Sequence, residues 1–488
     1  MLTLLLILVP LIAPALFWVL KEEKIKVAAL AISIIEFALG CLAYYLLSSD
    51  SNYPLLSMDV AWVPQMGIRF SVALDGISLV LVLLSVLLVP FVILSSFDSS
   101  IKNTRAFYAL ILIMQSALVG VFSATDGLLF YIFWELALIP IYFICLLWGG
   151  SDRIRVTFKF FIYTLAGSLF MLAALIYIYN HTQADMRSFN IDTLYLAASS
   201  LSSIEQGFIF WAFFIAFAIK MPVFPFHTWQ PDTYTSAPMA GTMLLSGIML
   251  KMGTYGLIRW LIPMVPQGSA DWASWAIWLS VISIVYASLL AMAQKDFKRL
   301  IAYSSIAHVG LISAGILSFT AEGVQGAMLQ MFSHGINVVG LFFVCQIIEK
   351  RTGSRAIDDL GGIRAVAPKF ALLFLIIVLG SVALPLTNGF VGEFLLLNGL
   401  YQYSAWAAAF GGLTVILGAV YMLRSYQSII LGDKKTISAN FSEPGNNELL
   451  ILIPIVILIL LLGVFPGIIG NISKDAINTL VQKVSIIN

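Results

Sequence analysis

Residues 207–260 read GFIFWAFFIAFAIKMPVFPFHTWQPDTYTSAPMAGTMLLSGIMLKMGTYGLIRW. An apolar run carries Lys220 deep inside it and breaks at Pro222 and Pro225. A second apolar run follows, with Lys251 in its interior. A charge at mid-bilayer costs about 2.5–3.5 kcal/mol on insertion scales. Proline removes a helix hydrogen bond and clashes with the preceding turn, and lipid offers the freed groups no partner. A second break, VALPLTNGFVGEF at 382–394, places Pro385, Asn388 and Gly389 just before Glu393. Broken spans in corresponding parts of two halves point to a transport site.

Composition extends this reading to the whole chain. Of 488 residues, 60% are hydrophobic and 10% charged, with a mean hydropathy of +0.98. A soluble domain carries roughly 25% charged residues, so lipid must be the solvent for most of the surface. Apolar runs of spanning length fall near 2–20, 27–48, 77–97, 107–124, 128–148, 157–179, 207–225, 239–262, 272–293, 299–319, 324–347, 369–402, 404–431 and 449–471. The expectation is an all-α integral membrane protein of about fourteen transmembrane helices. The connections are too short for a soluble catalytic domain. The net charge of +1 gives no basic field for nucleic acid. Cys41, Cys145 and Cys345 lie far apart in apolar runs and read as small hydrophobes, with no metal-ligand or disulfide spacing. The N-terminal run lacks a basic n-region and is longer than a typical signal h-region, so it reads as a retained first helix.

Lysine and arginine divide unevenly among the connections. The odd ones hold 18, including Lys21, Lys24, Lys26, Arg153, Arg155, Lys295, Lys298 and Arg299, whereas the opposite side holds only Arg69, Arg187, Arg259, Lys474 and Lys483. The positive-inside rule then puts both termini on the outer, periplasmic side of a bacterial inner membrane.

Glu135 and His308, Lys220 and Glu393, and Lys251 and Arg424 are each 173 positions apart. They fall on helices 5 and 10, 7 and 12, and 8 and 13. A five-helix unit reverses its direction on repetition, so two inverted repeats are expected, helices 4–8 and 9–13, with helices 7 and 12 broken. This divides the chain into helices 1–3 (1–106), a first repeat (107–262), a second repeat (272–431) and a last helix with its tail (449–488).

Six titratable residues stand alone in apolar stretches: Glu135, Lys220, Lys251, His308, His334 and Glu393. Their chemistry suits a proton relay. Burial favours the neutral form of a carboxyl or an ammonium group, whereas contact between the two favours both charges. At about 4 Å and an effective dielectric near 20 that attraction is about 4 kcal/mol, roughly three pKa units. Making or breaking such a contact switches whether a lysine holds its proton. Histidines exchange protons near neutrality with little perturbation. Ser304, Ser305, Ser333 and Asn337 leave room for bridging water. For either histidine alone, helix packing is the simpler alternative. No dinucleotide motif, CxxC set or haem-ligand pair is present, so energy must come from a partner or an ion gradient.

FWELALIPIYF at 133–143, residues 219–260, QKDFKRLIAYSSIAHVGLI at 294–312 and NGFVGEF at 388–394 resemble the antiporter-like membrane subunits of respiratory complex I and its relatives. The resemblance runs from about residue 75 to 430. It implies fourteen helices, two inverted repeats and a proton-pumping role without redox chemistry in this chain. The family's helix-5 glutamate matches Glu135, its helix-7 and helix-8 lysines match Lys220 and Lys251, and its connecting histidines match His308 and His334. One branch of the family carries glutamate in helix 12, matched by Glu393. The sister subunits L and N, and the D subunit of multisubunit Na+/H+ antiporters, usually carry lysine there. The sequence ends soon after the fourteenth run, so the long lateral helix of subunit L is not expected. Where the family often reads PDAHTEAP, this chain has PDTYTSAP, with Tyr234 and Ser236 replacing a histidine and a glutamate. The resemblance further implies no cofactor in this chain, NADH, FMN, iron–sulfur clusters and quinone in partner subunits, and L and N as membrane neighbours. The alternatives are a cation/proton antiporter component and the same subunit in a complex with another electron donor.

Overall fold

The computed structural model describes residues 1–48, 53–99, 101–183 and 187–485; the last three residues of the expected tail, 486–488, lie outside that set. The chain folds as a bundle of helices: α1 Leu2–Ile12, α2 Glu22–Ser48, α3 Gly76–Ser95, α4 Thr104–Ser123, α5 Gly127–Trp148, α6 Arg153–Asn180 and α7 Ser203–Lys220. After α7 a short helix, Gln230–Ser236, leads into α8, which covers 239–261. There follow α9 Pro266–Met292, α10 Phe297–Leu317, α11 Ala321–Thr352, α12 in two halves (Pro368–Ser381 and Asn388–Tyr403), α13 Ala405–Leu431, α14 Asn446–Val464 and α15 Gly467–Ser485.

Among the described residues, eleven helices are long and apolar enough to cross a bilayer. The expected spans outside that set are the interrupted ones. In α1, Pro10 and Pro14 turn the helix into a tighter coil over Ala13–Trp18. In α8, two π-helical turns, Leu245–Met249 and Leu257–Leu261, flank Lys251–Gly256. In α12 the helix stops at Ser381 and restarts at Asn388. The expected run to 225 also corrects: α7 ends at Lys220 because the prolines that follow cannot continue it.

The alternation of connections between two faces is visible in the backbone. On the face rich in lysine and arginine, Phe297 N donates to Arg355 O (3.0 Å) and Ile357 N to Lys295 O (2.8 Å). On the opposite face, Gly127 N donates to Phe189 O (2.7 Å) and Ile191 N to Thr125 O (2.9 Å). Two elements on that second face were not anticipated. One is an antiparallel hairpin, β1 Ser57–Val63 and β2 Ile68–Ala73. Gly67 turns it at φ +63, and a Cβ there would lie 1.9 Å from Arg187 O. The other is α15, tied to α11 by Gln325 Nε2 donating to Gly470 O at 2.8 Å.

Helices α10 and α11 are buried along almost their whole length, whereas α2, α13 and α14 keep most of their flanks free for lipid. Cys145 and Cys345 are buried as expected, but Cys41 is exposed on α2. Glu36, not singled out in the sequence reading, is fully buried in α2 with neither oxygen hydrogen-bonded.

Candidate proton track

Each break is held by groups that replace the missing helix bonds. At the first, Trp229 Nε1 donates to Ile219 O at 2.9 Å and Phe224 N to Ser283 Oγ at 3.3 Å. At the second, α11 supplies the partners: Asn337 Nδ2 donates to Gly380 O (2.9 Å) and Ser333 Oγ to Asn388 O (2.8 Å). Gly389 starts the second half of α12 where a Cβ would stand 2.5 Å from Gly380 O, so only glycine lets the two halves approach this closely.

Lys251 stands two residues after the last residue of the first π turn of α8 and is fully buried. Such turns gather at functional positions. Its Nζ donates to Ser246 O (2.7 Å) and lies 3.0 Å from His334 Nδ1. His334 Nε2 is 3.1 Å from Ser305 Oγ. An ammonium only donates, so with Lys251 charged Nδ1 accepts and Nε2 carries the ring hydrogen toward Ser305. Moving one proton along the 3.0 Å contact leaves a neutral lysine facing an imidazolium. The histidine pair comes next: the His308 and His334 rings are 5.9 Å apart, centre to centre. A cavity of about 10 Å³ borders both rings, with Ser304, Ser305, Gln330 and Asn337 on its wall. That is room for about one water.

His308 Nδ1 then lies 2.9 Å from Glu393 Oε1, although the angle departs from hydrogen-bond geometry. Gln330 Nε2 donates to the same oxygen at 3.0 Å. The structure thus brings Lys251, His334, His308 and Glu393 into one buried row. Gln330 was missed because an amide does not titrate and the sequence gives no sign of what it faces.

Glu135 and Lys220 stand apart from that row. Lys220 Nζ and Glu135 Oε1 are buried without a hydrogen-bond partner. Lys220 also sits 5.4 Å over the Trp134 ring, within range of a cation–π attraction. Tyr234 is fully buried with its hydroxyl unpaired, as is the Ser236 hydroxyl. Lys298, assigned to a loop from its charged neighbours, is instead buried, and its Nζ donates to Ala237 O at 2.7 Å. It caps the end of Gln230–Ser236, where the helix dipole favours a cation.

Residues 124–418 match the family model described as NADH:quinone oxidoreductase/Mrp antiporter, transmembrane. The chain belongs to this family. Within it, a relative from Rickettsia conorii, named NADH-quinone oxidoreductase subunit M, is 40% identical over 444 residues, 90% of this chain and 89% of its own length. NADH-ubiquinone oxidoreductase chain 4 of Marchantia polymorpha is 34% identical, covering 98% of this chain and 96% of its own. A chain of respiratory complex I from Thermus thermophilus with bound NADH superposes with a TM-score of 0.91 at 30% identity, over 99% of this chain and 100% of that one. This antiporter-like family member is a multi-pass membrane protein, and the glutamate at 393 agrees with the subunit M names of its relatives.

Proposed function

We propose that this chain is the membrane-arm subunit of a NADH:quinone oxidoreductase that moves protons from the cytoplasm to the outside, in the position subunit M occupies. The observation that carries this is the buried row Lys251–His334–His308–Glu393, with contacts of 3.0 and 2.9 Å at its two ends. Glu135 and Lys220 form the controlling pair. Quinone reduction elsewhere in the complex changes their spacing, and so decides whether Lys220 keeps its proton. Lys251, His334 and His308 carry the proton along the mid-membrane row, and Glu393 passes it outward.

The chain itself carries no redox group in this reading. NADH, FMN, iron–sulfur clusters and quinone belong to partner subunits, and L and N are its membrane neighbours. It lies in the bacterial inner membrane with both termini outside, supported by the charge bias of its connections. The breaks after Lys220 and before Glu393 support two inverted repeats within 107–262 and 272–431. Helices 1–3 (1–106) and the C-terminal segment (449–488) flank them.

The test is proton pumping by the assembled complex in vesicles. Lys220→Ala and Glu135→Gln should each cut the protons moved per NADH oxidised while the complex still assembles. Pumping at the wild-type ratio in both variants would refute the relay.

A further inference from the structure

On the face that gathers the lysine- and arginine-rich connections, a cavity of about 340 Å³ opens beside α13. Gln294 and Lys295 from the α9–α10 connection, Asp358 from the α11–α12 connection, and Arg424 of α13 stand on its wall. Such a lining favours water over lipid tails. Tyr421 also lines the cavity, although only 2% of its surface is exposed. The Tyr421 hydroxyl donates to Ser304 Oγ at 2.9 Å. Ser304 lies on the wall of the small inner cavity that borders His308 and His334. Two hydroxyls in contact therefore separate a polar-lined outer cavity from the small cavity beside the histidine pair.

We propose that Tyr421 and Ser304 form a proton inlet from the lysine- and arginine-rich face directly into the His308–His334 stretch, distinct from the Glu135–Lys220 region. This rests on the relay reading above. A hydroxyl accepts one hydrogen and donates another, so the step balances without leaving a charge on either residue. A protonated water in the outer cavity gives its proton to Tyr421 Oη as the tyrosine hydrogen passes to Ser304 Oγ. The serine hydrogen passes to water in the inner cavity and on to His308. Rotation of both hydroxyls resets the path. The position 173 residues before Tyr421 is Ile248, which has no hydroxyl, so the inlet belongs to the second half alone. It also gives a place to Arg424, a charge inside an apolar run that the relay leaves unused.

The experiment uses the assembled complex in vesicles. Tyr421→Phe keeps the ring and removes only the hydroxyl. It should slow transfer through the inlet about tenfold, the effect of losing one hydrogen bond on a rate-limiting transfer, and so lower the protons pumped per NADH. Ser304→Ala should do the same, and the double variant should be no worse than either single one, because both act on one path. A second readout avoids changing the path. In a Cys41→Ser background, Ser428→Cys on the cavity wall is treated with a charged, membrane-impermeant thiol reagent. Modification from the basic-loop face should slow pumping, and reagent on the opposite face should have no effect. Wild-type pumping in Tyr421→Phe and in the modified Ser428→Cys protein, with pumping lost in Lys251→Leu, would overturn the inlet and leave the relay standing. Wild-type pumping in all three would remove the relay as well.

Discussion

Lys220 and Lys251 are both buried lysines beside irregular turns in apolar helices, yet their surroundings differ. Lys251 has a carbonyl at 2.7 Å and an imidazole nitrogen at 3.0 Å. Lys220 has an aromatic face at 5.4 Å and no hydrogen-bond partner. A buried charge without a partner is expensive to keep, so the state of Lys220 depends on whatever opposite charge is near it. In the proposed relay Glu135 is that charge. Lys251 instead lies 3.0 Å from His334 Nδ1, so in the proposed relay a proton moves between them without a large rearrangement. In the proposed relay the first lysine is the switch and the second is part of the conductor. A distant reaction can bias the pair that nothing local fixes, and the buried row then transmits the result.

The sharpest way to break this comparison is Lys251→Leu. It removes the donor to Ser246 O and to His334 Nδ1, leaving the histidine with Ser305 alone. A hydrogen bond to a charged group is worth about 1.5–3 kcal/mol, which is about a 10- to 100-fold change in a rate that depends on it. Pumping should fall by that factor, while native gels still show the assembled complex. Undiminished pumping would mean that the row is a packing feature and that the contrast between the two lysines has no mechanistic meaning.

An effect on stability before conduction is expected at the second break. Asn337 reaches across from α11 to bond Gly380 O at 2.9 Å, whereas the first break is closed by Trp229 from its own loop and, at a longer 3.3 Å, by Ser283 of α9. Asn337→Ala leaves that carbonyl only the longer bond from Ala383 N at 3.4 Å, a loss of about 0.5–1.5 kcal/mol. It should lower the thermal unfolding midpoint of the detergent-solubilised complex and reduce pumping by less than Lys251→Leu does. An unchanged midpoint would show that α12 holds its break without α11, and the two breaks would then be alike in their support.

The sequence made these breaks readable because proline next to an intramembrane charge has few explanations. It also named every titratable member of the row, since a lone charge in an apolar run is conspicuous. Glu36 carried that same signal in AISIIEFALG and was overlooked. The hairpin at 57–73 was not read because spanning-length runs were the unit of search, and its strands are six or seven residues long. Helix α15 escaped for a related reason: polar residues such as Lys474 and Asp475 interrupt its apolar face. Lys298 was misplaced because charged neighbours in sequence suggest a loop, whereas its burial comes from Gln230–Ser236, some sixty positions earlier. Gln330, Tyr421 and Ser304 gain meaning only from what faces them.

The smallest effect should come from the hairpin, where a charged pair has none of the properties of the row. Arg69 Nε lies 2.6 Å from Asp59 Oδ1, and both side chains are more than a third exposed. Such pairs gain little because water already solvates both partners and ordering two long side chains opposes the attraction. Backbone contacts anchor this strand instead: the N–H of Arg69 donates to Asp126 Oδ2 at 3.2 Å and Thr125 N donates to Ser71 O at 3.0 Å. Alanine keeps that N–H. Arg69→Ala should therefore leave pumping per NADH and the unfolding midpoint at wild-type values. A twofold loss of pumping would place the hairpin on the proton's exit route, and the division between a conducting interior and an inert outer rim would have to be redrawn.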